Sequence, residues 1–335
     1  MKCLFPLFTL IMCLLSPATH AQENFTGKAQ ISFSQLTDGP MDKIVYKSVS
    51  DVPLHLYVFH SKDVPQKEKR TALVIIHGGG WTGGDVEAFF PHARYFASRG
   101  ATVFCVEYRL VKADETTLEN AVADCKSAMR YIRSHAADWG IDPLRIIVMG
   151  DSAGAHLSAC MGTVMGFDDP NDDLQVSDAP DMAILCNPLT DFTQSSFIKV
   201  VIGGEALKKN KKPDIESLSP EIISLARRFS PLYNVRKNSI RTLLMHGTAD
   251  KVIALSQSEE LYRAMKQVGN SCELIVLPGA NHAFVCTYWR APEAVVVDAM
   301  RQIDDYICRH GFLQGKSNLV VSKPEAWLPK WAGKK

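Results

Sequence analysis

The residues whose types and spacing point to chemistry begin with Gly150-Asp151-Ser152-Ala153-Gly154, preceded by the β-branched run Ile146-Ile147-Val148-Met149 and followed by the helix-compatible stretch Ala155 to Cys160. A G-x-S-x-G between a strand and a helix makes a sharp turn that lifts the serine hydroxyl clear of the sheet; the plainer reading is a Gly-Asp-Ser turn that only caps a helix. A serine hydroxyl is a weak nucleophile at neutral pH, so it needs a base, and the base needs an orienting acid. Asp250 follows the strand-like Leu243-Leu244-Met245, and His282 follows Leu274-Ile275-Val276-Leu277. Both fall just beyond the C-terminal ends of expected strands, the edge at which open α/β sheets bind ligands. His156, one turn into the helix after Ser152, is the rival base. His77 and His246 read as structural hydrogen-bonding groups, and His92, His135 and His310 as surface or packing residues.

A second signal is His77-Gly78-Gly79-Gly80-Trp81 directly after the apolar Leu73-Val74-Ile75-Ile76. Glycines here let backbone N–H groups face a ligand without Cβ interference. Acyl transfer requires such donors, because negative charge reaches the carbonyl oxygen only as the tetrahedral intermediate forms. A phosphate cradle is the alternative, but no Lys-Ser/Thr follows, and the spacing is not G-x-G-x-x-G before a helix.

These groups must be held by an alternating scaffold. Short β-branched runs at Lys43–Ser48, Leu54–Phe59, Ala72–Ile76, Thr102–Val106, Arg145–Met149, Met182–Cys186, Thr242–Met245 and Glu273–Leu277 alternate with helical patterns. That predicts an α/β fold with a mostly parallel eight-stranded sheet covered by helices on both faces. The first two runs are too close for a crossover and should form an antiparallel hairpin. Thr116 with Glu119, and Ser256 with Glu259, have capping-box spacing before apolar positions recurring at three and four, and a last helix is expected from about Pro292. Residues 191–229 break the alternation and read as a small cap-like insertion over the C-terminal edge, with the basic run Lys208 to Lys212 on it. The expected organisation is a signal peptide over 1–21, one domain over 22–313, and a C-terminal extension over 314–335.

The 335 residues are 46% hydrophobic and 22% charged, an ordinary globular composition. Lys2, followed by the apolar Leu4 to Leu15 and the small residues of Ala18 to Ala21, has the form of a secretory signal, and about 12 apolar residues are too few to span a bilayer. A secreted or periplasmic location is therefore expected, without stable membrane insertion. The remaining chain balances 36 basic against 36 acidic residues, which argues against a nucleic-acid partner. Seven cysteines remain after the signal, an odd number, mostly in apolar runs and without CxxC or Cys/His ligand spacing. They read as core thiols, and neither a metal nor an organic cofactor is expected.

His77 to Trp81, Tyr108-Arg109-Leu110, Asp124-Cys125-Lys126 through Gly140-Ile141-Asp142-Pro143, Gly150 to Gly154 and His246 to Asp250 together resemble the secreted α/β-hydrolase esterases near the hormone-sensitive-lipase-like and feruloyl/acetylxylan esterase groups. The order Ser, Asp, His along the chain is also theirs. The resemblance spans roughly residues 44–311. It implies an α/β-hydrolase fold with Ser152 as nucleophile, Asp250 as acid, His282 as base and the amides of Gly79, Gly80 and Ala153 as oxyanion hole. Ala155 stands where that pattern usually has a second glycine. The expected substrate is a small-molecule or oligosaccharide ester, with a short or flat aromatic acyl group because the basic insertion over 191–229, together with Trp81, leaves no continuous apolar channel for a long chain; Trp81 and Trp289, with Phe89, Phe90 and Tyr288, are candidates to stack on it. A prolyl-oligopeptidase-like peptidase and a non-catalytic binding protein on the same scaffold are the alternatives.

Overall fold

Runs that are apolar on both faces of a strand need cover on both sides, and the computed structural model, which describes residues 29–61, 69–209 and 213–322, supplies it. The central sheet contains β2 (Asp42–Val49), β3 (Val52–Phe59), β4 (Arg70–Ile76), β5 (Thr102–Val106), β6 (Ile141–Asp151), β7 (Met182–Cys186), β8 (Arg241–Gly247) and β9 (Cys272–Leu277), in the order β2-β3-β5-β4-β6-β7-β8-β9. β2 and β3 form the expected antiparallel hairpin, β3 also runs antiparallel to β5, and every pairing from β5 through β9 is parallel.

The sheet divides the core in two. Ala72, Val74 and Ile76 face α2 (Leu118–Ser134), α3 (Ala153–Thr163) and α7 (Leu255–Gln267), whereas Leu73 and Ile75 face α1 (Phe90–Ser98) and α8 (Glu293–Arg309). Two helix starts differ from the sequence expectation. α2 is capped by Thr117 with Asn120, because the Thr116 hydroxyl is already donated to Leu110 O. α7 begins after Ala254 without a side-chain cap, which puts Ser256 inside its first turn.

Between β7 and β8 the chain forms a short 3₁₀ turn at Phe192–Gln194 and the helices α4 (Ile198–Ile202), α5 (Gly204–Lys208) and α6 (Pro220–Phe229). Phe192, Ile198, Val200, Ala226 and Phe229 anchor this segment in the core. Lys208 pairs with Asp114 at 2.6 Å and Lys209 with Glu205 at 3.0 Å, and the rest of the basic run, 210–212, lies outside the described residues. The C-terminal segment docks as β10 (Leu319–Val320), parallel to β1 (Ile31–Ser32). Arg99 holds it there, donating to Gln314 O at 3.0 Å and Gly315 O at 2.8 Å while pairing with the buried Asp304. The segment read as a secretory signal also lies outside the described residues. No described helix is long and apolar enough to cross a membrane.

Candidate active site

Three strand ends build the site. Ser152, between β6 and α3, has φ 55° and ψ −118°, a conformation that a non-glycine residue holds only when its surroundings impose it. Here they do: Ser152 N donates to Cys186 O at 2.9 Å, and a Cβ on Gly154 would lie 2.1 Å from Ile76 O. Glycine at 154 is thus required by the contact of α3 with the end of β4.

Asp250 lies in the turn after β8, and His282 in the loop after β9. The two loops are bonded to each other, Ala249 N to Ala280 O at 3.0 Å and Gly279 N to Thr248 Oγ1 at 2.8 Å. As a result the Asp250 carboxylate lies 2.7 Å from His282 Nδ1, and His282 Nε2 lies 2.8 Å from Ser152 Oγ. The second Asp250 oxygen accepts Val252 N at 2.8 Å and Ile253 N at 2.9 Å, and His246 Nε2 lies 3.3 Å from the first. Burial alone would raise the Asp250 carboxyl, but hydrogen bonds from His246, His282 and the Ile253 amide outweigh it and hold the group well below the usual carboxylate range. An ionised Asp250 accepts the Nδ1 proton of His282, which leaves the Nε2 lone pair directed at the Ser152 hydroxyl. This arrangement can move the hydroxyl proton to the imidazole as the oxygen attacks a carbonyl.

The rival base is committed elsewhere. His156 is fully buried, its Nδ1 accepts the Trp81 indole N–H at 3.1 Å, and its Nε2 donates to Phe229 O at 2.8 Å. His77 Nδ1 bonds Gly78 O, and His246 bonds Ser258 and Ile253 O, the structural roles expected of them. His92 is a core residue bonded to Val285 O.

The glycine turn lies against Ser152, since a Cβ on Gly78 would be 3.3 Å from Ser152 Cβ. Gly79 has φ +132°, and a Cβ there would stand 2.1 Å from Gly83 O, so the turn closes on itself only with glycine. Gly80 and Trp81 continue in the left-handed region at φ 62° and 63°. Tyr108 braces the turn by donating to His77 O at 3.0 Å, and Val111 N donates to Trp81 O at 2.8 Å. Ala153 is the first residue of α3, so its N–H has no partner within the helix.

Of the aromatic candidates, Trp81 is corrected: it is 1% exposed and packs on His156, Phe192 and Phe197, so its ring is part of the scaffold and not a face open to stack on substrate. Phe89 and Phe90 are buried as well. Trp289 and Tyr288 are exposed, in edge contact with each other, on the 3₁₀ turn that follows the His282 loop. The seven cysteines among the described residues are free, six of them buried. Among the described residues no group of three or more His, Cys, Asp or Glu is arranged to hold a metal ion.

Asp151 and Asn187 were not evident from the sequence. Asp151 is buried at the elbow, and Asn187, immediately after β7 with φ 39°, donates to it and accepts from Ala283 N beside His282. The available signal was a lone polar residue at the C-terminal end of an apolar strand, followed by Pro188.

The BD-FAE family model matches residues 60–265, which include Ser152 and Asp250. An acetylxylan esterase of Xylanibacter ruminicola is 24% identical over 233 residues, 68% of this chain and 43% of that protein. The probable isoprenylcysteine alpha-carbonyl methylesterase ICMEL1 of Oryza sativa is 25% identical over 240 residues, 64% of this chain and 51% of that protein. The chain thus spans about half the length, or less, of these curated relatives. Among solved structures, the apo form of Thermogutta terrifontis esterase 2 is 31% identical with a TM-score of 0.71, covering 82% of this chain and 97% of that one. The likeness extends over the parallel sheet and its flanking helices, an α/β-hydrolase fold. With the family model covering more than half of its length, this chain belongs to the BD-FAE family.

Proposed function

We propose that this protein is a serine carboxylic ester hydrolase that works through an acyl-enzyme on Ser152. The observation that carries the reading is the chain of contacts from Ser152 Oγ to His282 Nε2 and from His282 Nδ1 to Asp250. Ser152 attacks the ester carbonyl as His282 takes its proton, and His282 then protonates the departing alcohol. Water, deprotonated by the same imidazole, releases the acid, while Asp250 holds the ring in one tautomer throughout. The amides of Gly79, Gly80 and Ala153 receive the oxyanion; one such donor contributes about 2.7–4 kcal/mol to the transition state.

The substrate class proposed is a short-chain or flat aromatic acyl ester, carried by a carbohydrate. Short acyl groups are favoured because Phe192 and Phe197 of the insertion close down on Trp81, the residue next to the glycine turn. Esterase 2 of Thermogutta terrifontis has been solved with propionate and with butyrate bound, which supports the same reading. The acetylxylan esterase relative and the exposed Tyr288 and Trp289 support the sugar. Export completes the proposal and rests on residues 1–21.

A chain-length series of nitrophenyl esters beside acetylated and feruloylated sugars tests it, with wild type, Ser152→Ala and a variant in which residues 205–215 become a short Gly/Ser loop. A maximum at acetyl to butyryl, or with a feruloyl ester, is expected, with longer chains accepted better by the loop variant. The preference should be graded, since one methylene is worth only about 1–3 kcal/mol. A maximum at eight carbons or beyond rejects the short-acyl reading, and no Ser152-dependent turnover of any ester leaves a non-catalytic binding protein.

A further inference from the structure

His156 bonds three separate parts of the site through its ring and its backbone N–H, and the esterase reading above gives it no task. It lies on α3, where its N–H donates to Ser152 O at 3.0 Å, so it belongs to the helix that carries the nucleophile and the Ala153 amide. Its Nδ1 is 3.1 Å from Trp81 Nε1, and an indole nitrogen can only donate. Nδ1 is therefore the acceptor, and Nε2 bears the proton that is given to Phe229 O at the last residue of α6. Burial pushes His156 down to about 4, so the ring stays neutral and this tautomer persists at working pH. Phe192 packs edge-on against the same imidazole at 5.0 Å, so the insertion touches it at both of its ends.

Trp81 is the residue that needs holding. Its left-handed backbone is strained for a non-glycine residue and persists only where the surroundings determine it. It directly follows Gly80, so the plane of the Gly80–Trp81 peptide, and with it the approach of the turn to Ser152, moves if Trp81 moves. Among the described residues the buried indole N–H has no other hydrogen-bond acceptor. We propose that His156 is a positioning residue for the oxyanion turn, locking Trp81, and through it the amides of Gly79 and Gly80, to the elbow helix and to the end of the insertion. The proposal rests on the esterase reading, because it assigns those amides the oxyanion.

The test compares wild type, Trp81→Phe, His156→Phe, the double variant, His156→Asn and Ser152→Ala on nitrophenyl acetate, together with the affinity of each for a short trifluoromethyl ketone that forms a tetrahedral adduct. Trp81→Phe and His156→Phe should each lower kcat/KM by about 10- to 100-fold through kcat, and weaken the ketone by a similar factor, with KM little changed. The double variant should fall within about threefold of the worse single one, because both remove the same bond. His156→Asn, whose side-chain oxygen takes the place of Nδ1, should recover most of the loss, and the midpoint of the pH–rate profile should not move in any of them, as it would if His156 were the base. Near-UV circular dichroism identifies a misfolded His156→Phe, in which case Trp81→Phe decides. Wild-type rates in Trp81→Phe, or a double variant showing the product of the two losses, overturn the proposal. If Ser152→Ala is equally active, it is the esterase reading that fails; if it is inactive while the Trp81 and His156 variants retain full rate, only this inference does.

Discussion

Asn187 Nδ2 donates to Asp151 Oδ1 at 2.9 Å, and the same carboxamide accepts Ala283 N at 3.2 Å, so one side chain ties the turn that carries Ser152 to the loop that carries His282. Asp151 Oδ2 is buried with no hydrogen-bond partner among the described residues. Burial pushes the Asp151 carboxyl up to about 6, with Asp250 adding to the effect and His282 and Asn187 opposing it.

A carboxyl whose folded pKa lies above its unfolded value of about 3.9 weakens the fold as pH rises through the interval between the two. The cost is absent below about pH 4 and complete above about pH 7, on the order of 2–3 kcal/mol. Asp151→Asn is therefore expected to be more stable than wild type at pH 8, by up to that amount, and to lose the advantage near pH 4. Urea denaturation at the two pH values checks this. An equal difference at both would show that charge is not its source.

Asp250→Asn isolates the tautomer. The amide oxygen can keep the bonds from Val252 and Ile253, which turns the NH₂ group toward His282 Nδ1. Nδ1 must then be the acceptor, Nε2 carries the proton, and the imidazole cannot receive the Ser152 hydroxyl. A fall in kcat of about 10⁴ is expected with the fold retained. A loss below tenfold in steady-state assays would mean that Asp250 does not set the ring's protonation.

Two neighbouring glycines should respond differently to alanine. At Gly79 the added Cβ meets Gly83 O at 2.1 Å, whereas at Gly80 no described residue beyond its chain neighbours lies within 4 Å and the backbone φ of +62° is what opposes it. Gly79→Ala should cost roughly 2–5 kcal/mol and most activity, and Gly80→Ala only about 1–2 kcal/mol. Denaturation midpoints and turnover of the two variants give the comparison, and similar costs would contradict the turn geometry.

The eight strands of the main sheet were legible because each contains a short β-branched or apolar stretch bounded by turn residues, a pattern set locally. Asn187 was not, since its task appears only when β6, β7 and the loop after β9 are neighbours. The β1–β10 pair escaped for a similar reason: two residues on each side carry no period, and their partners are nearly 300 positions apart. For Trp81 the residue type suggested a surface for sugar, and only packing shows that Phe192, Phe197 and His156 enclose it. The α2 cap moved by one residue because Thr116 and Thr117 are chemically equivalent until Leu110 O claims one of them. Ser152, Asp250 and His282 could be named in advance because each follows a strand that could itself be recognised.

The most direct test of the account is fluorophosphonate labelling of the intact protein, read by mass spectrometry and mapped by proteolysis. One adduct per chain on Ser152 is predicted, formed quickly in wild type and far more slowly in His282→Ala, because the imidazole must take the hydroxyl proton as the oxygen attacks phosphorus. An adduct on another serine, or Ser152 labelling that proceeds at the wild-type rate in His282→Ala, would contradict it.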